Sequence, residues 1–394
     1  MTHYSYLILG GGMAAAAAVG GIRDVDPHGS LGLISAESHP PYNRPPLSKG
    51  LWKGDPLDGI WSGTDSQEVE LHLGCTAATL DPRNKRVIDK QGTVYTFDKL
   101  LLATGGTPRR FPFGDDQIVY FRTVDDYRRL RALADERQRF AVIGAGFIAS
   151  EIAAALRMNG KDVVMVFPGE DIGGHLFPPD LARFLTDFYR QKGIDVLTGE
   201  AVVGLETQGD HLVVLTENTR EIVADGVVAG IGIAPNLGLA KEAGLAVNTG
   251  ILVNEFLCTS QPDIYAAGDV AAYYDHTLGV RRRVEHEDNA NTMGRLAGRA
   301  MAGDAEPFWH LPFFYSDLFE LGYEAVGEVD ARLETVADWR EPYREGVVYY
   351  LRAGRVRGVL LWNVWDQVDA ARRLIAEPGP FRPADLIGRL PGTD

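Results

Sequence analysis

One short pattern occurs twice in the chain, a domain's length apart. Gly10-Gly-Gly12-Met13-Ala14-Ala15 follows the apolar run Leu7-Ile-Leu9, and Gly144-Ala-Gly146-Phe147-Ile148-Ala149 follows Val142-Ile143, 134 residues further on. Each is a G-x-G-x-x-A that leaves a strand-like run and opens an alanine-rich helical stretch. In that setting the first glycine makes the tight turn, and the second lets backbone N–H groups approach a pyrophosphate. The small third residue permits close helix–strand packing, while the helix N-terminus adds partial positive charge. A single copy in a chain holding 45 glycines would be weak, since any tight strand–helix turn can generate it. Two copies restrict the chain to an α/β fold with two Rossmann-like dinucleotide-binding domains.

An acidic residue about 20 positions after each fingerprint would accept from a ribose hydroxyl. The run Leu31-Gly-Leu-Ile34 ends near Glu37, and Val163–Phe167 runs into Pro-Gly-Glu170-Asp171. No Lys or Arg follows before Arg183 to meet a 2′-phosphate, so NADH is expected over NADPH. Thirty-nine basic against 54 acidic residues leave a net charge of −15, which disfavours nucleic acid and anionic lipid as partners. Cys75 and Cys258 stand 183 positions apart without a C-x-x-C pair, so neither a redox-active disulfide nor a stapled secreted fold is expected. The N-terminus enters a strand-like run without a leader pattern, and no apolar stretch approaches the ~20 residues that span a bilayer. A cytoplasmic protein is the expectation. No cluster has metal-ligand spacing.

Three further runs end in small residues: Leu100–Gly106, Ala229–Asn236 with Gly232, and Ile264–Asp269, the last closing on a carboxylate. Asp269 reads either as a turn residue or as an acceptor for a ribityl hydroxyl. Other segments stand out beside them: Pro41-Tyr-Asn-Arg44-Pro-Pro-Leu-Ser-Lys49, Arg282-Arg-Val-Glu285-His286, Phe313-Phe-Tyr-Ser-Asp317, Gly322-Tyr-Glu324-Ala, and Leu361-Trp-Asn363. In this order the motifs resemble the FAD-dependent pyridine nucleotide oxidoreductases. Among these they resemble most the oxygenase-coupled NADH–ferredoxin reductases and the apoptosis-inducing-factor flavoproteins.

The resemblance implies a discontinuous FAD-binding domain over 1–110 and 238–311, an NADH-binding domain over 111–237, and a small C-terminal α+β domain over 312–394. It implies FAD contacts at Gly10, Gly12 to Ala15, Glu37, Arg44, Lys49, Ala78, Arg122, Asp269, His286, Glu287 and Tyr315. It implies nicotinamide-nucleotide contacts at Gly144, Gly146, Phe147, Ile148, Glu170, Gly232, Glu285, Glu324 and Asn363. Tyr315 stands where the family carries tryptophan. The reaction implied is hydride transfer from NADH to flavin N5, with electrons leaving to an acceptor such as ferredoxin or rubredoxin. The alternative is a slow, NADH-responsive flavoprotein whose dimerisation follows NADH.

Lys49, Glu151, His286 and Tyr315 are the candidate catalytic residues, and the resemblance implies that Lys49 stands beside flavin N5/O4, paired with Glu151. Taken alone, each has a plainer account: a solvated loop lysine, a structural histidine, a core tyrosine. NADH and a small iron–sulfur carrier are the expected partners, with a homodimer left open. A carrier of that kind is commonly acidic and would need a basic face. Arg109-Arg110, Arg281 to Arg283, and Arg352, Arg355 and Arg357 are the candidates for it.

Overall fold

Both apolar runs that precede the fingerprints become buried strands of parallel sheets. In the computed structural model, which describes residues 2–390, Leu7, Ile8 and Leu9 end the strand Thr2–Leu9 and are almost fully buried. That strand pairs in parallel with Leu31–Ile34 on one side and Val94–Leu102 on the other. Glu70–His72 and Ile264–Ala266 extend the parallel part, while Arg86–Asp89 and Ala77–Asp81 return antiparallel beside Val94–Leu102. Strands covered on both faces read as continuous apolar runs rather than as alternation, which is the pattern here.

These elements belong to the first of two units defined by internal contacts, made of Met1–Asn43, Leu57–Thr107 and Ala234–Pro312. Its helix Met13–Arg23 packs on the helix Glu287–Met301 through small residues. A Cβ on Gly294 would fall 2.2 Å from the Ala14 carbonyl oxygen, and one on Gly298 equally close to that of Ala18. Ala14 and Ala15 are buried in the same core.

The second unit comprises Arg44–Pro56, Pro108–Ile233 and Phe313–Asp394. Here Arg139–Ile143 lies between Asp162–Phe167 and Gly226–Ala229, with Asp195–Thr198 and Ile118–Tyr120 outside them, all parallel. The helix Phe147–Met158 follows the second fingerprint. Val202–Gln208, His211–Thr216 and Glu221–Ala224 form an antiparallel sheet of their own. From Phe313 onward the chain builds a second antiparallel sheet, ordered Phe313–Leu318, Leu321–Gly327, Arg355–Trp362, Glu345–Arg352, Glu334–Glu341, and the helix Val368–Ala376 follows.

The short segment Arg44–Pro56 is fastened within this unit. Trp52 packs edge-on against Tyr127 at 5.7 Å and donates from its indole N–H to the Leu47 carbonyl. The Asn159 amide donates to the Trp52 carbonyl, and the Arg131 guanidinium lies over the Trp52 ring. Two 3-10 turns, Pro45–Ser48 and Gly50–Trp52, flank Lys49, and the prolines at the start of the first restrict the chain there.

Candidate functional site

The two fingerprints are built alike. Gly10 has φ +133°, and a Cβ there would strike the Ala103 carbonyl oxygen at 2.0 Å; Gly144 has φ +120° and would strike that of Gly230 at 2.5 Å. The fold itself demands these first glycines. Gly146 differs: its backbone is ordinary, with φ −87°, and a Cβ there would meet nothing within 4 Å. The reason for a glycine at 146 is to be sought outside the chain.

The helices that follow, Met13–Arg23 and Phe147–Met158, begin at Gly12 and Gly146 with no side-chain cap and no acid in the first turn. By contrast, Val124–Glu136 is closed by Thr123 and Asp126 in a capping box. A helix start without cap or carboxylate is suited to an anion such as a pyrophosphate.

In the first unit, Glu37 follows the strand Leu31–Ile34 and accepts from the buried Tyr42 hydroxyl at 2.6 Å, which orients its carboxylate. Ala78 lies in the strand Ala77–Asp81. Asp269 sits in a 3-10 turn after Ile264–Ala266, and its carbonyl accepts from Arg283, which also pairs with Glu285 at 2.5 Å. His286 is the N-cap residue of the helix that Glu287 opens.

Burial, helped by the positive charge of Arg282, pushes the His286 imidazole down to about 4. The native ring is therefore neutral between pH 4 and 6.5, where the unfolded chain would bind a proton. Stability is then present above pH 6.5 and is lost as pH falls toward 4. Denaturant unfolding over that window is expected to show a falling midpoint, and His286→Phe to flatten the slope. An unchanged slope in that variant would remove His286 as its source.

Glu287 and Asp288 place carboxylates in the first turn of that helix, and Asp288 is paired with His310 at 2.5 Å.

The second unit gathers Lys49, Glu151 and Tyr315. The helix Phe147–Met158 turns Glu151 into the interior, where it is 3% exposed. The Lys49 ammonium donates to Glu151 Oε1 at 2.7 Å and lies over the Tyr315 ring, 5.1 Å from its centre. A buried ion pair is tolerated only when its remaining polar atoms are also satisfied. Two residues not anticipated from sequence do this: Ser316 donates to Oε1 and Ser48 to Oε2, each at 2.6 Å. Both lie inside motifs already singled out, directly beside Tyr315 and Lys49.

Elsewhere in this unit, Arg44 donates to the Arg122 carbonyl at 3.0 Å. Phe147 meets Phe314 edge-on at 5.2 Å, linking the start of the fingerprint helix to the C-terminal sheet, and Ile148 follows it in that helix. Gly232 has φ +91°, and its carbonyl accepts from the Arg109 N–H. Glu170 is exposed beyond the end of Asp162–Phe167.

Glu324 faces Tyr315 across its strand pair; burial and the nearby Asp366 raise its carboxyl, and its Oε2 is buried without a hydrogen-bond partner among the described residues. Asn363 sits at φ +50°, accepting from the Gly322 N–H and donating to the Arg344 carbonyl, so its amide closes the edge of the sheet.

Open space at Gly146, the bare helix starts and the orphaned Glu324 oxygen all fit a dinucleotide. Many of the arginines in the candidate basic clusters have acceptors within the chain. Arg282 pairs with Asp275, Arg283 with Glu285, and Arg352 and Arg357 both with Glu328, while Arg281 donates to the carbonyls of Val253 and Ala272. Arg109 and Arg355 are exposed.

Residues 4–294 match the model of the pyridine nucleotide-disulphide oxidoreductases. Residues 297–342 and 337–377 match that of the apoptosis-inducing factor, mitochondrion-associated, C-terminal domain. The chain is 36% identical over 416 residues to apoptosis-inducing factor 1 of Dictyostelium discoideum, covering 94% of this chain and 78% of that protein. It is 34% identical over 371 residues to the ferredoxin reductase subunit of 5,5'-dehydrodivanillate O-demethylase from Sphingobium sp., covering 90% and 89%. Among solved structures it is similar to putidaredoxin reductase in its covalent complex with putidaredoxin, with TM-score 0.90 and 28% identity over 98% of this chain and 95% of that one.

Proposed function

We propose that this chain, which belongs to the pyridine nucleotide-disulphide oxidoreductase family, is an NADH oxidoreductase that delivers electrons singly to a small iron–sulfur protein. It is an FAD- and NAD(H)-dependent enzyme. Bound FAD supplies the chemistry, accepting hydride from NADH and releasing electrons one at a time. Cys75 and Cys258 are both free thiols, so the proposed route uses no disulfide relay.

The observation that carries the reading is the Lys49 cluster, a nearly buried cation held between Glu151 and the Tyr315 ring. A fixed positive charge in a dry site stabilises negative charge that develops beside it, and it needs no reorganisation to do so. We assign Lys49 to flavin N5/O4, and the first fingerprint, Glu37, Arg44, Ala78, Arg122, Asp269, His286, Glu287 and Tyr315 to the rest of FAD. Gly144, Gly146, Phe147, Ile148, Glu170, Gly232, Glu285 and Glu324 are assigned to NADH. Glu324 would accept from a hydroxyl or amide that the described residues do not provide.

The proposed domains are 1–110 with 238–311 for FAD, 111–237 for NADH, and 312–394 as the C-terminal domain. No described helix is long and apolar enough to cross a membrane. The cytoplasm is our proposed compartment, on the ground of the two unpaired thiols.

The relative from Dictyostelium and the matched C-terminal model favour a second reading, an NADH-responsive flavoprotein with slow turnover and NADH-linked dimerisation. Anaerobic titration of the FAD-loaded protein with NADH separates the two. Bleaching followed by rapid recovery on adding an oxidised [2Fe–2S] ferredoxin is expected. A persistent long-wavelength band with little recovery would favour the second reading, and absence of bleaching would overturn both.

A further inference from the structure

The Glu151 carboxylate receives three donors from two dipeptides. Ser48-Lys49 supplies a hydroxyl to Oε2 and an ammonium to Oε1, while Tyr315-Ser316 supplies the ring beneath that ammonium and a second hydroxyl to Oε1. Ser48, Ser316 and Glu151 are each no more than 5% exposed, so water cannot replace a missing donor freely. Among the described residues, the phenols of Tyr189, which donates to the Ser150 carbonyl, and of Tyr323 also feel the charge of this carboxylate. Burial and the Glu151 charge hold both well above the ordinary tyrosine value, so they stay protonated, and Tyr323 bonds Ser316.

We infer that Ser48 and Ser316 are positioning residues that set the state of Lys49. With both hydroxyls in place, each carboxylate oxygen is satisfied and Lys49 holds the pair together through a single N–H. Remove one hydroxyl, and a buried oxygen loses a charge-assisted hydrogen bond. Without Ser48, Oε2 is left bare and the ammonium is the donor that turns to it. Without Ser316, Oε1 keeps the ammonium as its sole donor among the described residues. In both cases Lys49 is drawn toward Glu151 and away from any ligand. The serines thus keep the remaining N–H groups of Lys49 directed at whatever lies beyond it. This rests on the assignment of Lys49 to the flavin, and the test separates the two claims.

The experiment measures the midpoint potential of bound FAD, and the single-turnover rate of its bleaching by NADH, in Ser48→Ala, Ser316→Ala, Ser48→Thr, Ser316→Thr and Lys49→Met. The potential is expected to fall in both alanine variants, in the same direction as in Lys49→Met and by less. The bleaching rate is expected to drop about tenfold in each alanine variant, one lost charged hydrogen bond's worth. The threonine variants, which keep the hydroxyl, are expected to return toward the parent. Should an alanine variant fail to load FAD, Ser→Cys at the same position, which keeps a weak donor, is expected to fall between alanine and parent.

A purely structural role would lower the melting temperature and leave the potential where it was. Parental potentials in the serine variants beside a shifted Lys49→Met overturn the inference alone. An unshifted Lys49→Met overturns the flavin assignment and this inference with it.

Discussion

Alanine at Gly146 is expected to leave the fold standing and to weaken NADH binding about tenfold or more, whereas alanine at Gly144 is expected to unfold the second unit. The two positions are two residues apart in one fingerprint, yet their surroundings are opposite. At Gly144 the backbone lies at φ +120°, which an L side chain rarely adopts, and the new Cβ would sit 2.5 Å from the Gly230 carbonyl oxygen. That carbonyl has little room to retreat, because Gly230 lies so near the next helix that a Cβ on it would fall 2.8 Å from the Ala149 backbone nitrogen. Strained dihedrals alone cost about 1–3 kcal/mol, and a backbone clash adds to that. The sum is a large part of the stability of an ordinary domain.

At Gly146 the same methyl enters open space on extended backbone, and losing a glycine N-cap costs up to about 1 kcal/mol. What the methyl would obstruct is a phosphate approaching the N–H groups of the helix Phe147–Met158. Displacing one such charged hydrogen bond, at about 1.5–3 kcal/mol, corresponds to tenfold or more in affinity. Thermal melts with fluorescence titration by NADH test both halves. Parental NADH affinity in Gly146→Ala would mean the second fingerprint holds no pyrophosphate.

That contrast also marks how far the sequence could be read. A fingerprint is local: its glycines, the strand before it and the helix after it lie within about a dozen residues, so both copies and their parallel sheets were legible without coordinates. The place of Glu37 just after its strand was legible for the same reason, and Tyr42, whose hydroxyl donates to it, is only five residues away. The Lys49 cluster is another matter. Glu151 lies 102 residues from Lys49 and 165 from Ser316, and no periodicity connects them. Only the resemblance connects Lys49 with Glu151, and nothing in the motifs that hold Ser48 and Ser316 marks either serine. A serine gives no compositional signal of the acceptor it will meet.

The pairing within the arginine clusters was illegible for a related reason. Glu328, which pairs with both Arg352 and Arg357, is two dozen or more residues away, so the neutralisation is invisible in a window. Asn363 is expected from the resemblance as a nucleotide contact, while its left-handed backbone and doubly bonded amide, which close the edge of the C-terminal sheet, gave no sign in the sequence.

Lys49→Met is expected to destabilise the second unit more than Glu151→Gln does, and combining the two is expected to recover much of the stability and none of the flavin reduction. The asymmetry follows from burial. The Glu151 side chain is 2% exposed and carried on a helix, so it has no route to water once its cation is gone. An uncompensated buried charge of this kind typically costs about 3–5 kcal/mol, softened here by the two serine hydroxyls that remain.

Lys49 is 12% exposed on a long flexible stem. When glutamine replaces Glu151 it can swing its ammonium outward, while the amide oxygen still accepts from a serine. In the double variant no charge is left buried, and a neutral amide faces an apolar stem. Neutral replacements of buried ion pairs are often well tolerated. Chemical denaturation of the four proteins gives the coupling energy, and anaerobic bleaching by NADH gives the functional axis. Recovery of both together would make the pair a packing device with no part in the chemistry. Recovery of stability alone, with bleaching as slow as in Lys49→Met, is the pattern expected when the ammonium is retained for its charge.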